Sequence, residues 1–307
     1  MAEREVLAGK RPFLELRARV LQSARAFFLE QGFLEIQTPL LASELAPEAH
    51  IEPIPAGEGS YLITSPELYM KRLLAAGYQQ IFQISPAFRR GERGRLHHPE
   101  FTLLEWYRAG ADYGALQNDC KELITTIAMA TNRWPGWTYQ RHWLDARGDW
   151  QCHTVREAFL EFANWDPGLV FDQNRFDVDL VEKVEPHLGF PQPCILKDYP
   201  ASQAALARLK AGDPSVAERF ELYWAGIELA NGFSELTNAL EQRLRFEATL
   251  EMRRRLGYAP YPLPETFLDS MEHLPPSAGI ALGIDRLVML LANADSLDQV
   301  VAFPPEI

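Results

Sequence analysis

Residues 82–107 read FQISPAFRRGERGRLHHPEFTLLEWY, and in this stretch two apolar runs flank a loop crowded with charged side chains. The runs at 80–86 and 100–107 have the composition of strands, and the polar loop between them predicts a hairpin-like connection. Charged groups are rarely buried without partners, so this mixture of arginine, histidine and glutamate is poorly suited to a plain core strand. It indicates a binding site, and a nucleotide is the ligand that suits it.

The segments around this hairpin alternate between helix and strand signals. Residues 13–31 place apolar side chains mostly at three- and four-residue steps before Gly32, which predicts an amphipathic helix of about five turns. The segment FLEIQTP then alternates apolar and polar residues and ends at Pro39, as a strand closing on a turn does. The remaining predicted elements are strands at 61–64 and 218–229, helices after Pro66 and at 112–130 and 239–257, and a small-residue strand that runs into an apolar helix within 279–291.

Size and composition exclude several classes of protein. A chain of 307 residues that is 47% hydrophobic can bury a large core, and residues 131–198 carry no linker or repeat, which predicts an insertion packed on the main domain. The net charge of −12 argues against stable binding of tRNA or other nucleic acid. Three widely spaced cysteines, no secretory leader and no run of 18 apolar residues predict a cytoplasmic protein without a membrane segment.

A second chemical signal lies around Asn231 and Gly232. Asn-Gly between apolar-flanked runs is a strong hairpin signal, and a two-residue turn there would oppose Glu228 to Glu235 with their Cβ atoms about 5 Å apart. Like charges in that position are destabilising unless a cation lies between them, so this register predicts a magnesium site. A longer loop would instead leave both glutamates on a solvated edge, and the spacing alone does not decide between the two.

Several motifs together resemble the class II aminoacyl-tRNA synthetases of the lysyl branch. They are Pro39 at the end of the first strand, PheArg at 88–89 with HisHisProGluPheThr at 97–102, GluLeuAlaAsnGlyPheSerGluLeu at 228–236, and GlyIleAspArg at 283–286, which match motifs 1, 2 and 3 in family order. Each motif is weak alone, but together they span nearly the whole chain and are highly specific. The resemblance implies an α+β fold with an antiparallel sheet of six or seven strands flanked by helices, and a homodimer formed through motif 1.

A closer resemblance is to the free-standing paralogues that ligate (R)-β-lysine to a lysine of elongation factor P. Lysyl enzymes carry an N-terminal anticodon-binding domain of about a hundred residues, whereas motif 1 begins here near residue 13, so we expect residues 1–307 to form a single catalytic domain without that module. The supporting stretches are ThrSerProGlu at 64–67, LeuLeuGluTrpTyrArg at 103–108 and ProAlaSerGlnAlaAlaLeuAla at 200–207. The expected partners are therefore ATP, Mg²⁺, (R)-β-lysine and elongation factor P.

The motif matches imply roles for the residues of an ATP site. Arg89 is suited to gripping the α-phosphate and the attacking carboxylate, because its planar fork can bond oxygens bidentately. Arg286 would contact the terminal phosphate of a bent ATP and cover one face of adenine, with Phe101 on the other face. These two arginines are the implied catalytic residues. The other implied ATP contacts are Gly91, Glu92, His97, His98, Glu228, Leu229 and Gly283, and the implied Mg²⁺ ligands are Glu228 and Glu235.

The amino-acid pocket is implied in the same way. Its matching positions are Ser65, Pro66, Glu67, Tyr107, Glu235 and Ala281, and Glu235 can serve the substrate's amino group instead of the metal. Lysyl-tRNA synthetases typically have alanine where Ser65 stands and glycine where Ala281 stands. An added methyl near the α-carbon and an added hydroxyl both suit a substrate whose amino group lies one carbon further out.

Two departures from the lysyl pattern affect the ATP site. The acid expected two residues after Arg89 falls one position later, at Glu92, with Gly91 in its place, so the group that meets adenine is not fixed by the pattern. His98 replaces the usual asparagine, and because a histidine can charge near neutral pH we expect ATP binding with an altered pH dependence.

Two other functions fit the same motifs. The chain can activate α-lysine or another amino acid for a different acceptor, or it can be a non-catalytic, synthetase-like regulatory subunit. The presence of Arg89, Glu228, Glu235 and Arg286 argues against the second, because a binding module has no need of both phosphate arginines and both carboxylates.

Overall fold

A computed structural model describes residues 3–169 and 171–306. Helices and strands alternate along the chain. In chain order they are α1 Glu3–Glu30, β1 Leu34–Glu35, β2 Leu41–Ala42, β3 Ile54–Gly57, β4 Ser60–Leu62, α2 Glu67–Ala75, β5 Gln80–Phe88, β6 Glu100–Ala109, α3 Tyr113–Ala130, β7 Gly136–Tyr139, β8 His142–Asp145, β9 Gln151–Thr154, α4 Val155–Ala158, α5 Gln173–Asp179, β10 Cys194–Pro200, β11 Leu209–Lys210, β12 Asp213–Trp224, β13 Ile227–Ser234, α6 Ala239–Arg255, α7 Glu265–Ser270, β14 Ser277–Gly283, α8 Ile284–Ala292 and α9 Leu297–Val300.

A large, mainly antiparallel sheet organises the molecule. Its strand order is β1-β5-β6-β14-β13-β12-β10-β9, with β11 added on β12. The β1–β5 and β9–β10 pairs at its two ends are parallel, and the other pairs are antiparallel. The α+β prediction is confirmed, but the described sheet has nine strands rather than six or seven, because the two-residue strands β1 and β11 and the insertion's β9 all pair with it.

Alternation along the central strands separates a core face from an open face. On β6, Leu104 and Trp106 join the main apolar cluster, whereas Glu105 and Tyr107 point to the other side. Helices α1, α3 and α8 cover the core face, since their apolar side chains belong to the same cluster. The opposite face of β6, β14 and β13 is therefore left free to carry polar groups.

Several predicted elements differ in extent from those observed. The first helix begins at Glu3 rather than near residue 13, because the charged residues that precede Pro12 hide its apolar periodicity. The strand predicted at 33–39 keeps ladder pairing only at Leu34 and Glu35, and further on the Thr38 amide donates to the Gln83 side chain at 2.9 Å. A side chain thus replaces the expected strand partner.

The predicted turn at Asn231 and Gly232 is wrong. The hairpin between β12 and β13 turns instead at Ala225 and Gly226, which both have positive φ (54° and 70°), as a type I′ turn requires. Gly232 lies inside β13, where an added Cβ would approach the Phe220 ring to 2.8 Å. A glycine is therefore required at position 232 by close packing against Phe220. It is not required there by a turn, which is what the Asn-Gly pair predicted.

Residues 131–198 carry a second apolar cluster of their own. It combines Val155, Phe159 and Phe176 with Leu196 of β10 and Tyr223 of β12. The segment also supplies β9 to the main sheet, so it shares both packing and hydrogen bonds with the rest of the molecule. None of the helices in the described ranges combines the length and apolar character needed to cross a bilayer.

Candidate active site

The open face of the sheet carries a cleft with a cavity volume of about 210 Å³. The β5–β6 hairpin forms one wall, the strand-to-helix step from β14 to α8 forms another, and β13 forms the floor. Most of the residues predicted for ATP meet there, with Gly91 outside the lining. The predicted residues that line it are Arg89, Glu92, His97, His98, Phe101, Glu228, Leu229, Ala281, Gly283 and Arg286.

The two arginines of the cleft make different contacts. Arg286 donates through Nη1 to the carbonyl oxygen of Glu228 at 2.8 Å and to its carboxylate at 3.2 Å, and its Nη2 lies 2.8 Å from His97 Nε2. Burial and the nearby Arg286 charge lower the pKa of His97, so its neutral form is favoured. Arg89 lies over the Phe101 ring at 5.0 Å, and its ion pair with Glu92 is long, at 3.8 Å, so a phosphate oxygen could compete for the guanidinium.

His98 is buried and is tied to α9. Its Nε2 lies 2.8 Å from the Asp298 carboxylate, which also accepts a hydrogen bond from Arg93 at 2.9 Å. Because a carboxylate must accept, Nε2 is the protonated nitrogen in this contact. His98 Nδ1 is buried and has no hydrogen-bond partner among the described residues. One ring nitrogen of His98 is therefore hydrogen-bonded to Asp298, and the other could still bond a ligand.

The residues predicted for the amino acid form a cluster of largely buried polar side chains between β6 and α2, beside the cleft, and this cluster is called the buried pocket below. Ser65 donates to Glu105 Oε1 at 2.7 Å, and the Tyr107 hydroxyl donates to Glu105 Oε2 at 2.9 Å. The Ser65 oxygen also accepts from the Glu67 amide at 3.0 Å, so it is engaged on both sides. Burial, and then the charge of Glu67, raise the pKa of Glu105 to about 8.

Lys71 is the cation at the centre of this pocket. Its ammonium lies 2.5 Å from Glu67 and 2.6 Å from Glu235, and it also lies over the Phe233 ring. Burial acts to lower the pKa of Lys71, but the attraction of Glu235 and Glu67 outweighs it and the pKa is raised. Burial raises the pKa of Glu235 to about 8 against the opposing effect of Lys71. Lys71 thus contacts two carboxyl groups, and its charge also acts on the third, Glu105. One ammonium among three carboxyl groups makes the pocket suited to further positive charge.

Glu228 and Glu235 do not face each other as the Asn-Gly turn predicted. They lie at opposite ends of the same strand, roughly 20 Å apart along the backbone, and each is already paired with a different cation. The partner of Glu228 across the hairpin is Tyr223. The two-carboxylate arrangement derived from that register is therefore wrong, and Glu235 belongs to the buried pocket.

A different carboxylate accompanies Glu228. Glu221 lies on β12 opposite Asn231, and the charge of Glu228 is, after burial, the largest cause that raises the pKa of Glu221. Tyr199 and Tyr223 both donate to Glu221 at 2.6 Å, and Arg219 binds its other oxygen. Two like charges on paired strands, held rigidly in place, fit an Mg²⁺ ion that takes its other ligands from phosphate and water.

The sequence patterns missed three residues of the site, each for a different reason. Glu105 lies two positions before Tyr107 on one strand, so the period of two could have identified it. Glu221 was hidden because the hairpin turn was predicted six residues too late, at Asn231 and Gly232 instead of Ala225 and Gly226, which gave the wrong register between β12 and β13. Lys71 follows Glu67 by one helical turn, a spacing that is common on solvated helix faces. Only its burial in the folded protein distinguishes this lysine from an ordinary surface residue.

Comparisons with known proteins agree with this geometry. Residues 8–306 match the family model described as tRNA synthetases class II (D, K and N). An elongation factor P–(R)-β-lysine ligase of Proteus mirabilis is 39% identical over 304 residues, covering 94% of this chain and 93% of the relative. Proteins of the same name from Edwardsiella ictaluri and Vibrio cholerae are 40% and 38% identical, covering 94% and 95% of this chain and 93% and 94% of the relatives. The chain therefore belongs to the class II tRNA synthetase family and, within it, to the elongation factor P–(R)-β-lysine ligases.

Proposed function

We propose that this protein activates (R)-β-lysine with ATP and ligates it to the ε-amine of a lysine on elongation factor P. In the first step the amino acid's carboxylate attacks the α-phosphorus of ATP, which gives an enzyme-bound aminoacyl-adenylate and pyrophosphate. In the second step the acceptor amine attacks the acyl carbonyl and expels AMP. The observation that carries the proposal is the acidic, buried pocket directly beside an arginine-lined cleft, in a chain that belongs to this ligase family.

The residues of the cleft support the first step. Arg89 is free to bond the α-phosphate and the attacking carboxylate, and Arg286 is free to shift from Glu228 to the terminal phosphate when ATP enters. Phe101 offers a face for adenine, Glu92 would meet the adenine amino group, and His97 would help to hold the distal phosphates. Leu229 and Gly283 complete the surface against which the nucleotide would lie. Charge neutralisation and positioning carry phosphoryl chemistry of this kind.

Mg²⁺ would be held by Glu221 and Glu228, in place of the Glu228–Glu235 pair expected from the turn. When bound, the ion neutralises charge on the phosphate oxygens and on the pyrophosphate that leaves. The Tyr199 and Tyr223 hydroxyls and Arg219 keep Glu221 oriented toward Glu228. These contacts fix the direction of the carboxylate before the ion arrives.

The buried pocket supports a diamino acid as the substrate. Glu67, Glu105 and Glu235 carry more potential negative charge than Lys71 can neutralise, so a substrate with two ammonium groups would complete the balance. Pro66 starts α2 and fixes Glu67 in its first turn. Ala281 stands opposite both Glu105 and Asn231, where its methyl group occupies space next to the substrate's carboxylate end. Ser65 acts through Glu105, whose orientation its hydroxyl fixes.

One assay tests the function directly. The protein is incubated with ATP, Mg²⁺, elongation factor P and either (R)-β-lysine or α-lysine, and pyrophosphate exchange and the mass of the acceptor are measured. We expect faster exchange with (R)-β-lysine and a mass gain of one β-lysyl group on a single acceptor lysine. Preferred exchange with α-lysine would favour the alternative substrate, and no exchange with any lysine isomer would leave only a non-catalytic function.

We also propose that the protein is a cytoplasmic homodimer. The end of α1 and the strands that follow it expose Leu29, Leu34 and Leu41, each more than half exposed, which supports contact with a second copy. The three cysteines are all free, as is usual in a reducing compartment. Residues 131–198 would be an insertion packed on the catalytic domain, since β9 and Tyr223 connect the two.

A further inference from the structure

Glu48 lies on the irregular segment between β2 and β3, and its backbone is firmly held. The buried Arg253 of α6 donates to the carbonyl oxygens of Glu48 and Ile51, both at 2.8 Å, and the Glu48 amide donates to the Tyr261 hydroxyl at 3.2 Å. A further bond from the Arg90 amide to the Glu52 carbonyl, at 2.7 Å, ties the segment to the β5–β6 loop. The segment is therefore fixed on two sides and presents the Glu48 side chain to the cleft.

The Glu48 carboxylate differs from the other acids of the cleft because it is uncommitted. Glu228 is bound by Arg286, Asp285 is bound by Arg17 and by the Thr102 amide, and Glu92 lies 3.8 Å from Arg89. The carboxylates of the buried pocket are also bound, to Lys71 or to hydroxyl groups. Within the described residues no hydrogen bond or ion pair reaches the carboxylate of Glu48, which is only partly buried.

Glu48 lies between the two pockets. It lines the nucleotide cleft together with Arg89 and Glu92. Two residues before it, Ala46 packs in one apolar cluster with Leu68 of α2, the neighbour of Glu67 in the amino-acid pocket. The charge of Glu67 accordingly acts on the Glu48 carboxyl group. An aminoacyl-adenylate must join these pockets through its acyl carbonyl, because the adenylate lies in one and the side chain in the other. A carboxylate that is near both pockets is therefore near the carbonyl that the acceptor amine attacks.

We propose that Glu48 is the general base of the transfer step, which rests on the function proposed above. The acceptor lysine arrives as an ammonium group and gives one proton to Glu48. The neutral nitrogen then forms a C–N bond to the acyl carbon, while the bond from that carbon to the α-phosphate oxygen breaks and AMP leaves with its electrons. The second proton from nitrogen passes to the departing phosphate, and Glu48 returns its proton to solvent.

The charge state of Glu48 suits this role. Burial raises its pKa to about 7, Arg89 and Arg219 oppose the shift, and Glu67 and Glu92 add to it. The carboxyl group is therefore a stronger base than an exposed glutamate, yet it is still ionised above neutral pH. The charged groups that act on the Glu48 carboxyl are Glu67 of α2, Arg89 and Glu92 of the β5–β6 loop, and Arg219 of β12. Arg253 of α6 and Tyr261, which follows α6, contact the backbone of Glu48 instead.

The test separates the two steps in the full-length protein. The adenylate is formed with ATP, Mg²⁺ and (R)-β-lysine, and acyl transfer to elongation factor P or to hydroxylamine is followed in a single turnover. Glu48→Gln should keep pyrophosphate exchange within about threefold of wild type but slow transfer to the protein lysine by about 100-fold or more. Hydroxylamine, which is largely neutral near pH 8, should capture the acyl group from wild type and variant at the same rate.

The pH profile supplies an independent readout. For the variant, the transfer rate should rise about tenfold for each pH unit between 7 and 9, because only the free amine fraction of the lysine reacts. For wild type it should level off above about pH 8, once Glu48 is ionised. Glu58→Gln, which removes the same charge from an exposed turn outside the cleft, should match wild type in both steps.

Three results would overturn the assignment. One is a transfer rate for Glu48→Gln within about threefold of the wild-type rate, because loss of a general base should slow transfer by about 100-fold or more. Another is a parallel loss of hydroxylamine capture, which would indicate general damage to the acyl site. The third is a parallel loss of pyrophosphate exchange, which would make Glu48 a ligand for the amino acid instead. Failure of wild type itself to exchange pyrophosphate would be a failure of the proposed function, so the two failures are distinguishable.

Discussion

Glu105 shows how burial sets the chemistry of a single side chain in this protein. Its two oxygens are covered by the hydroxyl groups of Ser65 and Tyr107, and burial followed by the charge of Glu67 raises its pKa to about 8. Near neutral pH the free protein therefore holds Glu105 mainly as the neutral acid. A substrate ammonium favours the ionised form, so binding must release a proton.

The first prediction concerns the pH dependence of amino-acid binding. Since the pKa of Glu105 in the free protein is about 8, the affinity for (R)-β-lysine should rise as pH increases from 6.5 to 8 and flatten above it. We expect the KM in pyrophosphate exchange to fall by about tenfold over the first part of this range. Glu105→Gln should bind more weakly and lose the slope, whereas an unchanged slope in that variant would assign it to another group.

The second prediction concerns Lys71, which is buried between Glu67 and Glu235. Lys71→Met leaves buried carboxylates without their cation, and breaking a buried pair in this way costs about 3–5 kcal/mol of unfolding free energy. Urea unfolding at pH 8 should show this loss. Because Glu235 can accept a proton below its pKa of about 8, the loss should shrink toward pH 6.

A double variant is the control for Lys71. Lys71→Met combined with Glu235→Gln removes one of the uncompensated charges, so it should recover part of the stability and weaken the pH dependence. A loss of unfolding free energy below about 1 kcal/mol for Lys71→Met at pH 8 would contradict the prediction. The buried ion pair would then contribute no more to stability than an exposed one does.

At the scale of elements, a bulge in β13 brings the acids of the site onto one face. Leu222 pairs with Ala230 and Tyr223 pairs with Glu228, so Leu229 is an extra residue in the ladder. A bulge shifts the alternation of side chains by one position, and Glu228 thereby joins Asn231 and Glu235 on the open face. Without it, Glu228 would point into the core beneath α8.

The third prediction concerns the close contact of β14 with β6. A Cβ on Gly279 would lie 2.1 Å from the Tyr107 ring and 2.6 Å from Glu235 Oε1. Gly279→Ala should therefore displace both side chains, lower stability by about 1–3 kcal/mol and raise the KM for the amino acid at least as strongly as that for ATP. Calorimetric unfolding and pyrophosphate exchange measure the two effects.

A glycine in an open position is the matched control. An added Cβ on Gly9 of α1 meets no atom within 4 Å, so Gly9→Ala should leave the KM for the amino acid unchanged. Alanine is the better helix former, and a stability gain of up to about 1 kcal/mol is expected. Equal kinetics for the Gly279 variant and wild type would show that the strands can separate without cost to the pocket.

The fourth prediction belongs to the whole molecule. Leu34 and Leu41 are 51% and 52% exposed and follow α1, where the dimer contact is proposed. Replacing both with aspartate puts charges into that contact, so the double variant should sediment as a monomer under conditions where wild type is a dimer. Leu240→Asp, at an exposed leucine of α6, should remain dimeric. Monomeric wild type at micromolar concentration would contradict the proposed dimer.

The residues of the nucleotide cleft could be found from sequence because local motifs fix them. Arg89, His97 and Phe101 lie on one hairpin, and Arg286 lies at one strand-to-helix step, so their types and short spacings carry the signal. Strand alternation would also have placed Glu105 on the same face of β6 as Tyr107, which the motif match did identify. The α+β class and the nucleotide site are therefore properties of short segments of the chain.

Only the tertiary structure decided which acids act together. Glu221 and Glu228 lie on neighbouring strands, close enough for the charge of one to act on the other, because the turn falls at Ala225 and Gly226 and a bulge follows it. Neither feature is visible in residue spacing. Glu235 meets Lys71 through packing between segments far apart in sequence. In the same way Glu48 comes to line the cleft with Arg89, and its carboxylate has no hydrogen bond or ion pair with any residue that the structure describes. The physical reason is that pairing and charge of a buried carboxylate depend on burial and on distant partners, whereas the sequence alone specifies the residue types and the local period.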